Sequence, residues 1–117
     1  MTQEEKQLLL KDICGRLPYG VKVHSDGIPH EQTLIGFIPD IEHYNIKPYL
    51  RPMTSMTEKE MFDFHENGGV LTHYFKYDID LNCLTVSAID WLNEHHFDYR
   101  GLIEKGLALE ASEDMYK

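Results

Sequence analysis

Gly20-Val21-Lys22-Val23-His24, then Ser25-Asp26-Gly27-Ile28-Pro29, then Gln32-Thr33-Leu34-Ile35-Gly36-Phe37-Ile38 is the stretch that decides the fold. Val21 and Val23 alternate with Lys22 and His24, the period of a strand with one face buried. Ser25 to Pro29 supplies turn residues, and the β-branched and aromatic run behind them forms the returning strand. The pattern predicts a β-hairpin with strands at 20–24 and 32–38, closed by Pro39-Asp40. Val21, Val23, Leu34, Ile35 and Phe37 are its expected core residues.

Upstream, Thr2 and Glu5 have the spacing of a capping box, so a helix starts there and runs to Leu17, where Pro18 stops it. Leu9, Leu10, Ile13, Cys14 and Leu17 fall on its apolar face, with Glu5, Lys6, Lys11 and Asp12 turned outward. Downstream, Ile46 to Pro52 reads as extended, and its prolines restrict it to an edge strand or loop. Thr57 and Glu60 form a second box, flanked by Met56 and Met61 as a hydrophobic staple, which predicts a helix from Glu58 to about Glu66. Asn67-Gly68-Gly69 ends it.

Val70 to Tyr77 reads as a strand on its β-branched and aromatic content, although Leu71, Tyr74 and Phe75 would also share a helix face. Ser87 caps a third helix, Ala88 to about His96, with Val86 and Trp91 as staple and Ile89, Leu92 and His96 on one face. After it, Asp98 to Leu109 is a short helical turn broken by Gly101 and Gly106, then an apolar strip that docks on the body. The last six residues are expected to fray.

The 117 residues, 42% apolar and 26% charged, suit one domain spanning 1–117. The expected class is α+β: a small antiparallel sheet of three or more strands, open or barrel-like, packed with about three helices around one core that also holds Ile89, Trp91 and Leu92. Eleven basic against 20 acidic residues give a net charge of −9, which argues against a general nucleic-acid binder. The imbalance is local. Residues 1–56 hold six basic and seven acidic residues, whereas 57–117 hold five and thirteen. That acidic half is a pair of solvated helix faces, or else a surface that meets a basic partner or imitates nucleic acid. No apolar run has the length of a membrane span, and Thr2 to Glu5 is not a basic, then apolar, leader, so a soluble cytosolic protein is expected. Cys14 and Cys83 lack CxxC spacing and read as reduced, small apolar residues.

Seven histidines raise the question of metal, but no HExxH or i, i+4 pair occurs, and only a spatial assembly of His65, His73, His95 or Asp98 would serve. Asp78-Ile79-Asp80-Leu81-Asn82 has the oxygen spacing of half a calcium loop, yet Cys83 replaces the glycine and Ile89 the closing glutamate. GxSxG and P-loop patterns are absent. The expectation is therefore a non-enzymatic protein without metal or cofactor. Tyr44, Pro48, Tyr49 and Pro52 beside Lys47 and Arg51 are the residue types that anchor protein interfaces, which makes an unidentified protein partner the expected ligand. The alternative is a selective nucleic-acid module, with Lys22, Lys47 and Arg51 on one sheet face and Tyr49 stacking on a base.

Three blocks carry a resemblance: residues 11–22 (KDICGRLPYGVK), 46–57 (IKPYLRPMTSMT) and 88–109 (AIDWLNEHHFDYRGLIEKGLAL). Together they resemble a group of short proteins encoded by gut anaerobic bacteria and their phages or other mobile elements. That group has no assigned activity, cofactor or partner, so no residue role transfers. The resemblance implies a cytosolic accessory protein of a bacterium or phage rather than a metabolic enzyme.

Overall fold

The computed structural model describes residues 1–69 and 85–116. The expected strand at 70–77, the half calcium loop at 78–82, His73 and Cys83 lie outside them. The first helix, α1 (Gln3–Arg16), starts from the expected box: the Glu5 N–H donates to Thr2 Oγ1 at 3.0 Å and the Thr2 N–H to Glu5 Oε1 at 2.9 Å. It passes into a 3-10 turn, Leu17–Tyr19, with Pro18 in its first positions, where the missing N–H costs nothing. Strands β1 (Lys22–His24), β2 (Gln32–Thr33) and β3 (Lys47–Leu50), a 3-10 turn at Met53–Ser55, α2 (Glu58–Glu66), α3 (Val86–Glu94) and β4 (Leu109–Glu110) follow.

The hairpin forms, β1 pairing antiparallel with β2 through Lys22↔Thr33 and Val23↔Gln32. Its second strand is shorter than expected, because Gly36 takes a left-handed backbone (φ 81°) that ends the extended run. The sheet has four strands in the order β2-β1-β3-β4, and it is open and mixed: β3 pairs antiparallel with β1 and parallel with β4. The extended segment is thus an inner strand, not an edge. The proline inside it is tolerated for a geometric reason. The Tyr49 carbonyl points toward β1 and the Leu50 carbonyl toward β4, where it accepts the Ala111 N–H at 2.8 Å. Pro48 therefore lacks a donor only on the side of the two-residue β4, and the ladder to β1 does not use it.

Two clusters replace the single expected core. Leu9, Ile13, Val21, Val23, Leu34, Ile41, Ile46, Leu50, Leu102, Leu107 and Ala108 fill the space between α1 and the sheet. Met56, Phe64, Ala88, Trp91, Leu92 and Phe97 form the second, with the Trp91 ring 5.2 Å from Phe64 and 5.7 Å from Phe97. Ile35 and Phe37 belong to neither and stand in solvent. They lie past the end of β2, on either side of the left-handed Gly36, where the chain has left the sheet that holds Leu34 inward.

A polar seam lies beside the two clusters. On α1 the buried face is Leu9, Asp12, Ile13 and Arg16, so Asp12 turns inward and Cys14, expected inward, is exposed. Arg16 grips Asp12 through two hydrogen bonds of 2.8 and 3.1 Å and donates to the Phe97 carbonyl at 2.6 Å. Arg100 adds a third bond to Asp12 at 2.7 Å. The ring of Tyr99 lies 5.2 Å from the Arg16 guanidinium and 4.6 Å from that of Arg100, and its hydroxyl donates to Asn93 at 2.8 Å. Asn93 in turn abuts Gly15, where an added Cβ would sit 3.0 Å from its amide nitrogen, so α1 and α3 meet at van der Waals range.

Helix α2 has the predicted bounds and cap, with Thr57 accepting the Glu60 N–H at 3.2 Å. Helix α3 begins two residues earlier than expected: Thr85, not Ser87, accepts the Ala88 N–H at 3.1 Å. Val86 is consequently the first residue of the helix, exposed, and makes no staple with Trp91. Beyond Phe97, the Asp98 carboxylate takes the Leu102 and Ile103 N–H groups at 2.8 and 3.0 Å and holds the turn that docks Leu107 and Ala108. The segment after β4, expected to fray, is tied back by Tyr116.

Candidate interaction surface

β1 and β3 each alternate, Val23, Pro48 and Leu50 inward and Lys22, His24, Lys47 and Tyr49 half-buried on the opposite face. In the register His24 faces Lys47 and Val23 faces Pro48, which brings Lys22 opposite Tyr49 at the next step. These four side chains therefore share the sheet's other face. Arg51, the expected fourth member, does not join them. Both of its terminal nitrogens donate to the Glu60 carboxylate at 2.8 Å, and its guanidinium lies 4.1 Å from the centroid of Phe97. Burial of Glu60 works against its charge, but the hydrogen bonds from Arg51 and Thr57 outweigh it and hold the carboxyl at about 2. Arg51 is thus a brace between β3, α2 and the aromatic cluster.

Tyr44 sits apart, in a turn before β3, with 45% of its surface exposed. The Asp40 side chain caps that turn by accepting the Glu42 and His43 N–H groups, both at 3.1 Å, and the His43 bond heads the causes that lower its pKa. The Tyr44 ring meets His43 edge to face at 4.6 Å, and its carbonyl accepts the Asp26 N–H at 2.8 Å. So Lys47 and Tyr49 lie together, Arg51 faces α2, and Tyr44 belongs to the loop.

That loop, residues 34–46 between β2 and β3, carries what sequence reasoning assigned to the core. Ile35 is 80% and Phe37 71% exposed, on either side of Gly36. Thirteen residues without regular structure is long for a connection in a small domain. Its two ends are pinned, Leu34 and Ile41 in the first cluster and the Ile46 N–H on the Ile41 carbonyl at 3.0 Å. From Asp26 to Ile46 the chain holds Asp26, Glu31, Asp40 and Glu42 and not one Lys or Arg. The segment is acidic in sequence, and three of its carboxylates are already engaged: Asp40 caps the turn, Asp26 lies 3.4 Å from His24, and Glu42 pairs with Lys6. Lys6 reaches in from α1 and meets Glu42 at 3.3 Å.

A cleft of about 450 Å³ runs along α2, lined by Lys59, Glu60, Phe62, Asp63, Glu66 and His95. Two of its carboxylates are engaged, Glu60 with Arg51 and Asp63 with the Trp91 indole N–H at 2.7 Å. The His95 ring stacks on Trp91 at 4.0 Å and its Nδ1 lies 2.9 Å from the Trp91 carbonyl. His65 is exposed on α2 and Asp98 caps its turn, so these groups do not converge. Among the described residues no three His, Cys, Asp or Glu side chains are grouped to hold a metal ion. Nor, among them, is any helix long and apolar enough to cross a membrane. Comparison with protein-family models, with curated proteins and with solved structures gives no match.

Proposed function

We propose that this chain acts by binding another protein, through the Ile35-Gly36-Phe37 tip of the β2–β3 loop. One observation carries the reading: two large apolar side chains, 80% and 71% exposed, flank Gly36 on a loop whose ends are anchored in the core. A solvated Ile and Phe together gain nothing for the free fold, and burial of each against a partner is worth about 1.5–3 kcal/mol. A tip fixed at both ends loses little entropy on docking. The segment from Asp26 to Ile46 carries four acidic residues and no Lys or Arg, which favours a partner pocket that is apolar and not acidic. Tyr44, on the same loop, extends the contact.

The nucleic-acid reading keeps Lys22, Lys47 and Tyr49 on a common face but is weakened by the engagement of Arg51 with Glu60. Two lysines release few counterions, so affinity for a phosphate backbone is low at about 150 mM salt. The test is affinity capture with the wild-type chain and with Ile35→Ser/Phe37→Ser, alongside anisotropy titrations with mixed-sequence single-stranded DNA and RNA. The expected result is a discrete protein retained by wild type, lost by the double variant, and no nucleic-acid binding at that salt. Capture unaffected by the double substitution would contradict the reading.

A further inference from the structure

Past β4 the chain turns back and lays the Tyr116 ring flat on the His96 imidazole, centroids 3.7 Å apart and planes 14° from parallel. Its hydroxyl stands between β1 and β3. It accepts the Lys22 N–H at 2.9 Å and donates to the Tyr49 carbonyl at 2.6 Å. Lys22 and Tyr49 face each other in the register, so the phenol interrupts a ladder bond that these two would otherwise make directly.

The recognition elements are complete. His96 gives a flat stacking surface, Lys22 a backbone donor and Tyr49 a backbone acceptor, one on each side of the hydroxyl. Nothing in this set depends on the ring belonging to residue 116. Two polar atoms nearby are left over: among the described residues His96 Nδ1 and Arg16 Nη1 have no hydrogen-bond partner, although the two residues are 6% and 0% exposed. The Arg16 charge acts on both His96 and the Tyr116 hydroxyl, which puts it in the same neighbourhood. His96 itself holds a left-handed backbone (φ 62°), a strained conformation for a side chain of its size, and it is the residue that presents the stacking face.

We propose that the space between β1, β3 and His96 is a receptor slot for a tyrosyl side chain, filled in cis by Tyr116 and able to take a tyrosine of a partner polypeptide in its place. The slot is separate from the Ile35-Phe37 tip and does not rest on it. The test uses the full chain carrying Tyr116→Ala, with 4-methylphenol, toluene, N-acetyltyrosinamide and N-acetylphenylalaninamide as probes. Melting temperature and the amide signal of Lys22 are the readouts. Tyr116→Ala melts below wild type, and 4-methylphenol raises its melting temperature by at least about 2 °C, saturably, with a shift of the Lys22 amide. Toluene and the phenylalanine amide give less than half that rise, N-acetyltyrosinamide reproduces it, and the wild-type chain, already filled, responds to none of the four. If Tyr116→Ala does not fold alone, its refolding by 4-methylphenol supports the slot and failure to refold contradicts it. Equal effects of 4-methylphenol and toluene overturn the hydroxyl recognition; a response to 4-methylphenol but not to N-acetyltyrosinamide overturns the exchange with a partner.

Discussion

Glu60 serves two partners, the Thr57 N–H at the start of α2 and the Arg51 guanidinium above Phe97. From sequence alone it is the lesser half of a capping box, and Thr57→Ala should cost more than Glu60→Ala. The structure reverses the order. Thr57→Ala removes one N-terminal acceptor and costs about 1 kcal/mol, whereas Glu60→Ala also strands Arg51 and costs about 2 kcal/mol, measured by urea unfolding. His96 sets the acid limb of stability. Burial first, then the charges of Arg16, His95, Arg51 and Lys22, hold its pKa at about 4 against 6.5 when free. Between those values the unfolded chain takes up a proton that the folded chain refuses, so stability is full above pH 6.5 and falls as pH drops to 4. The loss is about 2–4 kcal/mol. Glu60 adds a second, lower step as pH falls from 4.5 toward 2, because there the folded chain resists protonation. His96→Asn, which tolerates the left-handed backbone, should flatten the first step and leave the second.

At the scale of elements, both capping boxes and the bounds of α2 were legible, because a Thr and a Glu three residues apart act locally and need no tertiary partner. The hairpin pairing was legible for the same reason. The α+β class and the three helices followed from these. The inner position of β3 was not, since nothing in Lys47-Pro48-Tyr49-Leu50 tells that the Pro48 side faces a strand only two residues long. Nor was the inward turn of Asp12 and Arg16, which depends on Arg100 and the Phe97 carbonyl far along the chain. Of the candidate surface, Lys47 and Tyr49 were placed together from sequence, while the exposure of Ile35 and Phe37 was misread because the strand was extended past Thr33 and through the left-handed Gly36. The α3 packing yields a direct check. Leu92→Ala, at a fully buried position in the second cluster, should cost about 2–5 kcal/mol in chemical unfolding, and Ile35→Ser or Phe37→Ser should stay within about 0.5 kcal/mol of wild type.

Across the whole molecule, two small apolar clusters are joined by a charged seam, and exposed apolar side chains remain on the β2–β3 loop (Ile35, Phe37, Tyr44), on α2 (Phe62) and at the start of α3 (Val86). The seam is strong only when intact. Asp12→Ala leaves Arg16 buried without its carboxylate and should cost about 3–5 kcal/mol, far more than an exposed ion pair such as Lys6 with Glu42. Thermal melts of the two single variants, Asp12→Ala and Glu42→Ala, separate the cases. The block of residues 88–109 supplies Asn93, Phe97, Asp98, Tyr99, Arg100 and Leu102 to this seam and its flanks, so most of its polar chemistry holds the fold. The pair of large apolar side chains on the loop tip, Ile35 and Phe37, is the surface proposed for a partner. A photo-crosslinking residue placed at position 37, in the cells that natively make this chain, tests that claim most directly, with the same residue at the exposed Glu104 as control. One discrete protein adduct is expected from position 37, absent from position 104 and abolished when Ile35→Ser is added. No adduct from position 37, or the same adduct from both positions, would contradict it.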